Sequence, residues 1–167
     1  FELGVGTVFM LLYFIAWIII IPLGQVKISD DYRASWIFHA TANTKPGQLR
    51  HGQLLSVLAM FLLPTALLIY PIILIVWGPE YWLDILLSMG NVLIATFIYH
   101  SLDDDPPFGR SKEDSKFSNI GPMILVSIVA SIAGFGHYFI SDFFLLKVGL
   151  TVLAWLGVWL WLREMRR

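Results

Sequence analysis

The feature that most constrains this chain is a set of five long apolar stretches: Phe1–Leu23, Leu54–Trp77, Tyr81–Tyr99, Ile120–Ile140 and Phe143–Leu162. A helix rises 1.5 Å per residue, so about 20 apolar residues cross the hydrocarbon of a bilayer. Each stretch meets that length. None shows the apolar–polar alternation that a barrel strand requires. Composition agrees, since only 14% of residues are charged, against about a quarter in a soluble domain. The fold class that follows is all-α, a polytopic membrane helix bundle formed as a single transmembrane domain over residues 1–167. The sequence opens on Phe, already inside an apolar run, with no basic segment before it and no small-residue cleavage site after it. That is not a signal peptide; the expectation is a fragment of a longer chain.

Two connections are short and two are long. Gly78–Glu80 and Ser141–Asp142 are tight turns, so spans two and three, and spans four and five, form antiparallel hairpins. The long connections are 24–53 and 101–119. Ten of the eleven Lys and Arg residues lie in these two loops or in the tail from Arg163 to Arg167. With five spans, all three regions share one side. The positive-inside rule makes that side cytoplasmic. The expected location is the inner (plasma) membrane, multi-pass, with the C-terminus in the cytoplasm. Seven Trp and six Tyr suit the aromatic belts at the two interfaces.

Chemistry-bearing residues are sparse. There is no Cys, which excludes disulfides, thiolate metal sites and a cysteine nucleophile. No Gly-rich phosphate loop is present, because Gly134-Phe135-Gly136 lies within a span and no Lys-Ser/Thr follows it. His39, His51, His100 and His137 include no pair at helical ligand spacing, and read as interfacial residues bonded to water, headgroups or backbone. No cofactor and no metal is expected. Asp84, three residues past a turn, reads as a residue of the outer interface. Asn91 is then the deepest strongly polar side chain, with Ser88 on the same face. The two read as interhelical hydrogen bonds or as the polar lining of a substrate route. With no carboxylate at mid-membrane, an ion pump is disfavoured. Asp103–Asp105 read as a solvated loop. Pro64 and Pro71, seven residues apart on span two, read as the ordinary tolerance of Pro in membrane helices, with a bent gating helix as the alternative. Ser127 with Ser131 and Ala130 with Gly134 give close-packing spacing on span four.

The polar interval Gly24–Gln53 is the natural contact with the aqueous side. Ser29 or Asp30 can cap a short helix. Its body, DYRASWIFHATA, puts Trp36 and Ile37 on one face with Arg33 beside them. Lys45-Pro46-Gly47 breaks it, and a second helical turn then leads through Arg50 into span two. This reads as an amphipathic surface helix that docks and couples, with Arg33, Trp36 and Arg50 as its partner contacts.

The string DYRASWIFHAT, centred on residues 31–38, resembles a segment of bacterial ABC-2-type transporter permeases. The likeness extends through a Pro-Gly step into a proline-containing span, and to Pro107-Phe108 in the next loop. It implies a permease component of a transporter energised by a separate cytoplasmic ATPase. The alternative is a non-catalytic membrane subunit of a larger respiratory, secretion or motility complex. A third reading, an enzyme using Asp103–Asp105 or the cytoplasmic histidines on a lipid-linked substrate, has no convergent residue set behind it. The expected partners are the lipid bilayer, other membrane subunits and the ATPase. Nucleic acid is not among them.

Overall fold

The computed structural model describes residues 4–31, 33, 46–102, 108, 111 and 120–165. The described residues build six α-helical segments: α1 (Val5–Gln25), α2 (Pro46–Val57), α3 (Leu63–Val76), α4 (Trp82–Leu102), α5 (Ile120–Phe139) and α6 (Phe144–Met165). A π-helical turn, Leu58–Leu62, joins α2 to α3, and a 3-10 turn, Pro79–Tyr81, precedes α4. Five helices, with Gln48–Val76 counted as one, are long and apolar enough to cross a membrane. The expected surface helix over 30–42 lies outside the described residues, apart from Asp30, Asp31 and Arg33.

One boundary differs from the sequence reading. The helix of span two begins at Pro46, not at Leu54. Pro46 at the first helical position explains this: its fixed φ suits a helix start, and its missing N–H would have no partner there anyway. Gln48, Arg50, His51 and Gln53 are therefore helical residues continuous with the span, not loop residues. Ahead of Pro64 the α-helix gives way to the π-helical turn Leu58–Leu62. Proline cannot accept the regular backbone geometry at the carbonyl four residues earlier. The chain widens just before it, and Leu63 N–H donates to Leu58 O five residues back.

The helices alternate in direction, which the contacts at each end show. At one end, Gln53 Nε2 donates to Leu23 O at 3.3 Å and the Phe108 N–H donates to Val26 O at 3.1 Å. This long-loop end gathers the close of α1, the start of α2, the close of α4 and the close of α6. The other, short-turn end carries Gly78–Tyr81 and the 140–143 turn. Gly78 sits at φ 117°, a conformation that a residue with a Cβ rarely adopts, and this lets Pro79 start the next helix at once.

Helices α1 and α4 form the centre. About half of each is buried (44% and 56%), against 17% of each of the other three spans. Val8, Leu12, Ile15 and Ile19 of α1 are fully buried, at the i, i+4, i+7 spacing of one helical face. The opposite face, Met10, Phe14, Trp17 and Ile21, is exposed and just as apolar. A helix apolar all round is one that meets lipid or protein on every side.

In lipid, apolar burial gives helices little reason to associate, so close backbone approach and hydrogen bonds do that work. Gly90 of α4 faces Ala154 of α6 so closely that an added Cβ would lie 2.9 Å from the Ala154 Cβ. Beside it, Trp155 Nε1 donates to Leu86 O at 3.1 Å. Two threonine hydroxyls inside the spans bond to their own helix: Thr96 to Val92 O at 2.7 Å, and Thr151 to Lys147 O at 2.8 Å. This satisfies them without an interhelical partner.

Candidate functional site

Three ionisable residues meet inside the bundle at the short-turn end. Asp84 lies in the first turn of α4, His137 in the last turn of α5 and Lys147 in the first turn of α6. Their exposures are only 2%, 2% and 9%. Lys147 Nζ donates to both Asp84 oxygens, at 3.1 and 3.0 Å. His137 Nε2 lies 3.0 Å from Asp84 Oδ1. The chain of contacts continues to a fourth element. The Tyr13 hydroxyl of α1 lies 3.2 Å from His137 Nδ1, and Asn91 Nδ2 donates to the Tyr13 oxygen at 2.9 Å. Asn91, Tyr13, His137, Asp84 and Lys147 thus form one ladder across four helices.

Local geometry explains why these side chains converge. Helical side chains lean toward their own N-terminus. Tyr13 and Asn91 start about two turns deeper than Asp84, on helices that begin at the short-turn end, and lean toward it. His137, near the end of α5, leans back to meet them. An aspartate in a first turn and a histidine in a last turn are each well placed in the helix dipole. Lys147 in a first turn is not, and the Asp84 carboxylate offsets this. The Phe9 ring meets the imidazole edge-on, 4.9 Å between centroids.

Gly134 makes room for the ladder. It lies one turn before His137, and an added Cβ there would sit 3.2 Å from two Tyr13 ring carbons. The close-packing pair Ala130/Gly134 therefore has α1 as its partner. Gly134→Ala is expected to push Tyr13 outward and break its contact with His137. The loss should appear as a shifted Tyr13 hydroxyl signal in ultraviolet resonance Raman spectra, with the bundle still folded.

The long-loop end holds a second cluster. Arg50 Nη2 donates to His100 O, in the last turn of α4, at 2.8 Å. A cation there suits the negative end of the helix. The His51 and His100 rings lie 5.8 Å apart, and both face Trp161, which stacks on Phe97 at 3.9 Å. Lys27 Nζ sits 5.5 Å from the Tyr99 ring centroid. Two imidazoles are too few for a metal centre, and no group of three or more His, Asp or Glu that could hold an ion occurs among the described residues.

The residues singled out by sequence fall in different places. Arg50 lies against α4, Arg33 is exposed, and Trp36 lies outside the described residues, as do Asp103–Asp105. Asn91 joins the ladder. Ser88, on the same helix, donates to its own Ile85 O at 2.9 Å. Asp84, expected at the outer interface, lies in the first turn of its span with its side chain pointing inward, where two helices supply donors. One expectation is corrected. His137 is likewise enclosed by protein and not bonded to water or headgroups. The signal for this was present, since Asp84, His137 and Lys147 all lie within a few residues of the two short turns. Opposite charges at one depth on three helices are a pairing waiting to be read.

Comparison of the chain with protein-family models, with curated proteins and with solved structures finds no match.

Proposed function

We propose that this chain is an integral membrane permease component of a transporter, energised by a separate ATPase. The observation that supports a transport role is the five-residue ladder ending in Asp84, His137 and Lys147. Burying ionisable groups among apolar helices is costly, and such groups commonly mark the path of an ion or substrate. A bundle held together only by packing has no need of three. The ladder reaches from the short-turn end to Asn91, and in this reading that end faces outward.

The ATPase is proposed from the likeness of residues 31–38 to ABC-2-type permeases and from the basic long-loop end. There Lys27 lies over the Tyr99 ring, Arg50 donates to the closing turn of α4, and Arg163 stands in the last turn of α6. In this reading that end is cytoplasmic, the membrane is the inner membrane, and Arg33, Trp36 and Arg50 meet the partner. Purification in mild detergent is expected to recover a nucleotide-binding subunit, and Trp36→Ala is expected to lose it. Co-purification of other membrane chains without any ATPase would instead favour a subunit of a larger complex. Repeated recovery of the chain alone would count against both.

A further inference from the structure

The ladder contains one group whose charge its neighbours do not fix. Lys147 and Asp84 neutralise each other. His137 can then be neutral or cationic, and the hydrogen bonds decide what each form requires.

With His137 neutral, Nε2–H donates to Asp84 Oδ1 and Nδ1 accepts the Tyr13 O–H. The Tyr13 oxygen in turn accepts from Asn91 Nδ2. Both imidazole nitrogens and the Tyr13 hydroxyl then have partners. With a proton added to Nδ1, the imidazolium donates from both nitrogens. The Tyr13 oxygen must then accept, and its O–H needs a new acceptor. Asn91 supplies one by turning its amide, so that Oδ1 takes the place of Nδ2. A hydroxyl and a carboxamide are side chains that both donate and accept. A lysine or a carboxylate at either position would serve only one form.

Charged and polar groups from every neighbouring element face the ring. From α4, Asp84 favours the cation; from α6, Lys147 opposes it. The closing turn of α5, where His137 sits, favours positive charge. From α1, Tyr13 and Phe9 face the ring. Around these lie Tyr81, within electrostatic reach of both Glu80 and Asp84, and Tyr70 of α3, within reach of Tyr13. Tyr138 is next in α5, and Asp142 is exposed in the following turn.

We propose that His137 is a reversible proton-binding site, built so that its neutral and protonated forms are both fully hydrogen-bonded, with Tyr13 and Asn91 reversing their hydrogen bonds between the two. One proton from the aqueous phase adds to Nδ1, no other bond changes, and the cluster passes from net zero to plus one. The amide of Asn91 does not relay protons, so the ladder ends there: it is a terminal site and not a path across the bundle. The proposal names a ligand for the cluster behind the transport reading and rests on that reading for its role. Its test uses purified protein without substrate or ATPase, so the two fail separately.

The test is nitrogen NMR of histidine-labelled protein in lipid nanodiscs. The chain has four His, and His137→Gln identifies the signal. If that variant does not fold, His39→Gln, His51→Gln and His100→Gln identify it by elimination. The expected result is a proton on Nε2 alone at the alkaline end of the pH range over which the protein stays folded, and on both nitrogens at the acid end. Asn91→Leu should lower the proton affinity about tenfold, because the protonated form then strands the Tyr13 O–H. Asn91→Gln should restore most of it. A single protonation state across that range would overturn the proposal. So would an Asn91→Leu protein that binds the proton as tightly as the native one.

Discussion

Replacing Lys147 by Met is expected to destabilise the folded bundle by about 3 kcal/mol, the low end of what removing one partner of a buried ion pair costs. The reason is the group left behind. Asp84 is 2% exposed, and Lys147 Nζ reaches both of its oxygens. Without it, a carboxylate among apolar helices keeps only the His137 donor. The low end applies because that donor remains, and because an orphaned carboxylate can take up a proton instead of staying charged. The double variant Asp84→Leu/Lys147→Met is expected to recover most of the loss, since an apolar pair of similar volume is often no worse than a buried ion pair. Unfolding in rising detergent denaturant, followed by the fluorescence of the seven Trp, measures both. A double variant no more stable than Lys147→Met alone would mean that the pair is not what couples these helices.

The second large effect is at Gly90. Gly90→Leu is expected to separate α4 from α6, and Gly90→Ala to cost about 1–3 kcal/mol, the range for overfilling a packed contact. An added Cβ would lie 2.9 Å from the Ala154 Cβ, closer than carbon atoms tolerate. The nearest atom is a methyl carbon fixed directly to its helix backbone, so it cannot rotate aside, and Trp155 Nε1 and Cδ1 follow at 3.6 and 3.7 Å. Parting the helices also lengthens the Trp155–Leu86 O hydrogen bond, now 3.1 Å. The compensating variant Gly90→Ala/Ala154→Gly moves the methyl group across the interface and should restore native stability. Thermal melting of the three proteins in one detergent decides it. If Gly90→Ala melts with the native protein, the contact is looser than its geometry indicates.

Much of the architecture was legible in the sequence because length and apolarity alone define a membrane-crossing helix. All five spans occur, within a few residues of the expected limits except at the start of span two. That start lies earlier because Gln48, Arg50, His51 and Gln53, too polar to count as part of the apolar stretch, continue the span without a break from the turn expected through Arg50. A helix at the water boundary can carry them on faces that cap its neighbours, as Gln53 does for α1 and Arg50 for α4. The candidate site was less legible. Depth along a span can be counted from sequence, but the direction in which a side chain faces cannot. Asp84 was placed near the end of its span, and the count along the chain could not show that its side chain points inward to His137 and Lys147. Gly134 was seen to be small, yet nothing in the sequence tied it to Tyr13, which lies 121 residues earlier on another helix.

The widened turn at Leu58–Leu62 has a consequence for the helix that contains it. A π turn holds one residue more than the same stretch of α-helix. One residue corresponds to about 100° of rotation around the axis and about 1.5 Å along it. The half carrying Arg50, His51 and Gln53 is therefore out of phase with the half carrying Ile73, and the two need not turn together. Because Pro64 has no N–H to give, the extra residue is not easily absorbed on that side. It can instead migrate toward Pro46, one hydrogen bond at a time. Each such step would swivel one more residue at the long-loop end relative to the buried face of α3, and the helix would never have to break.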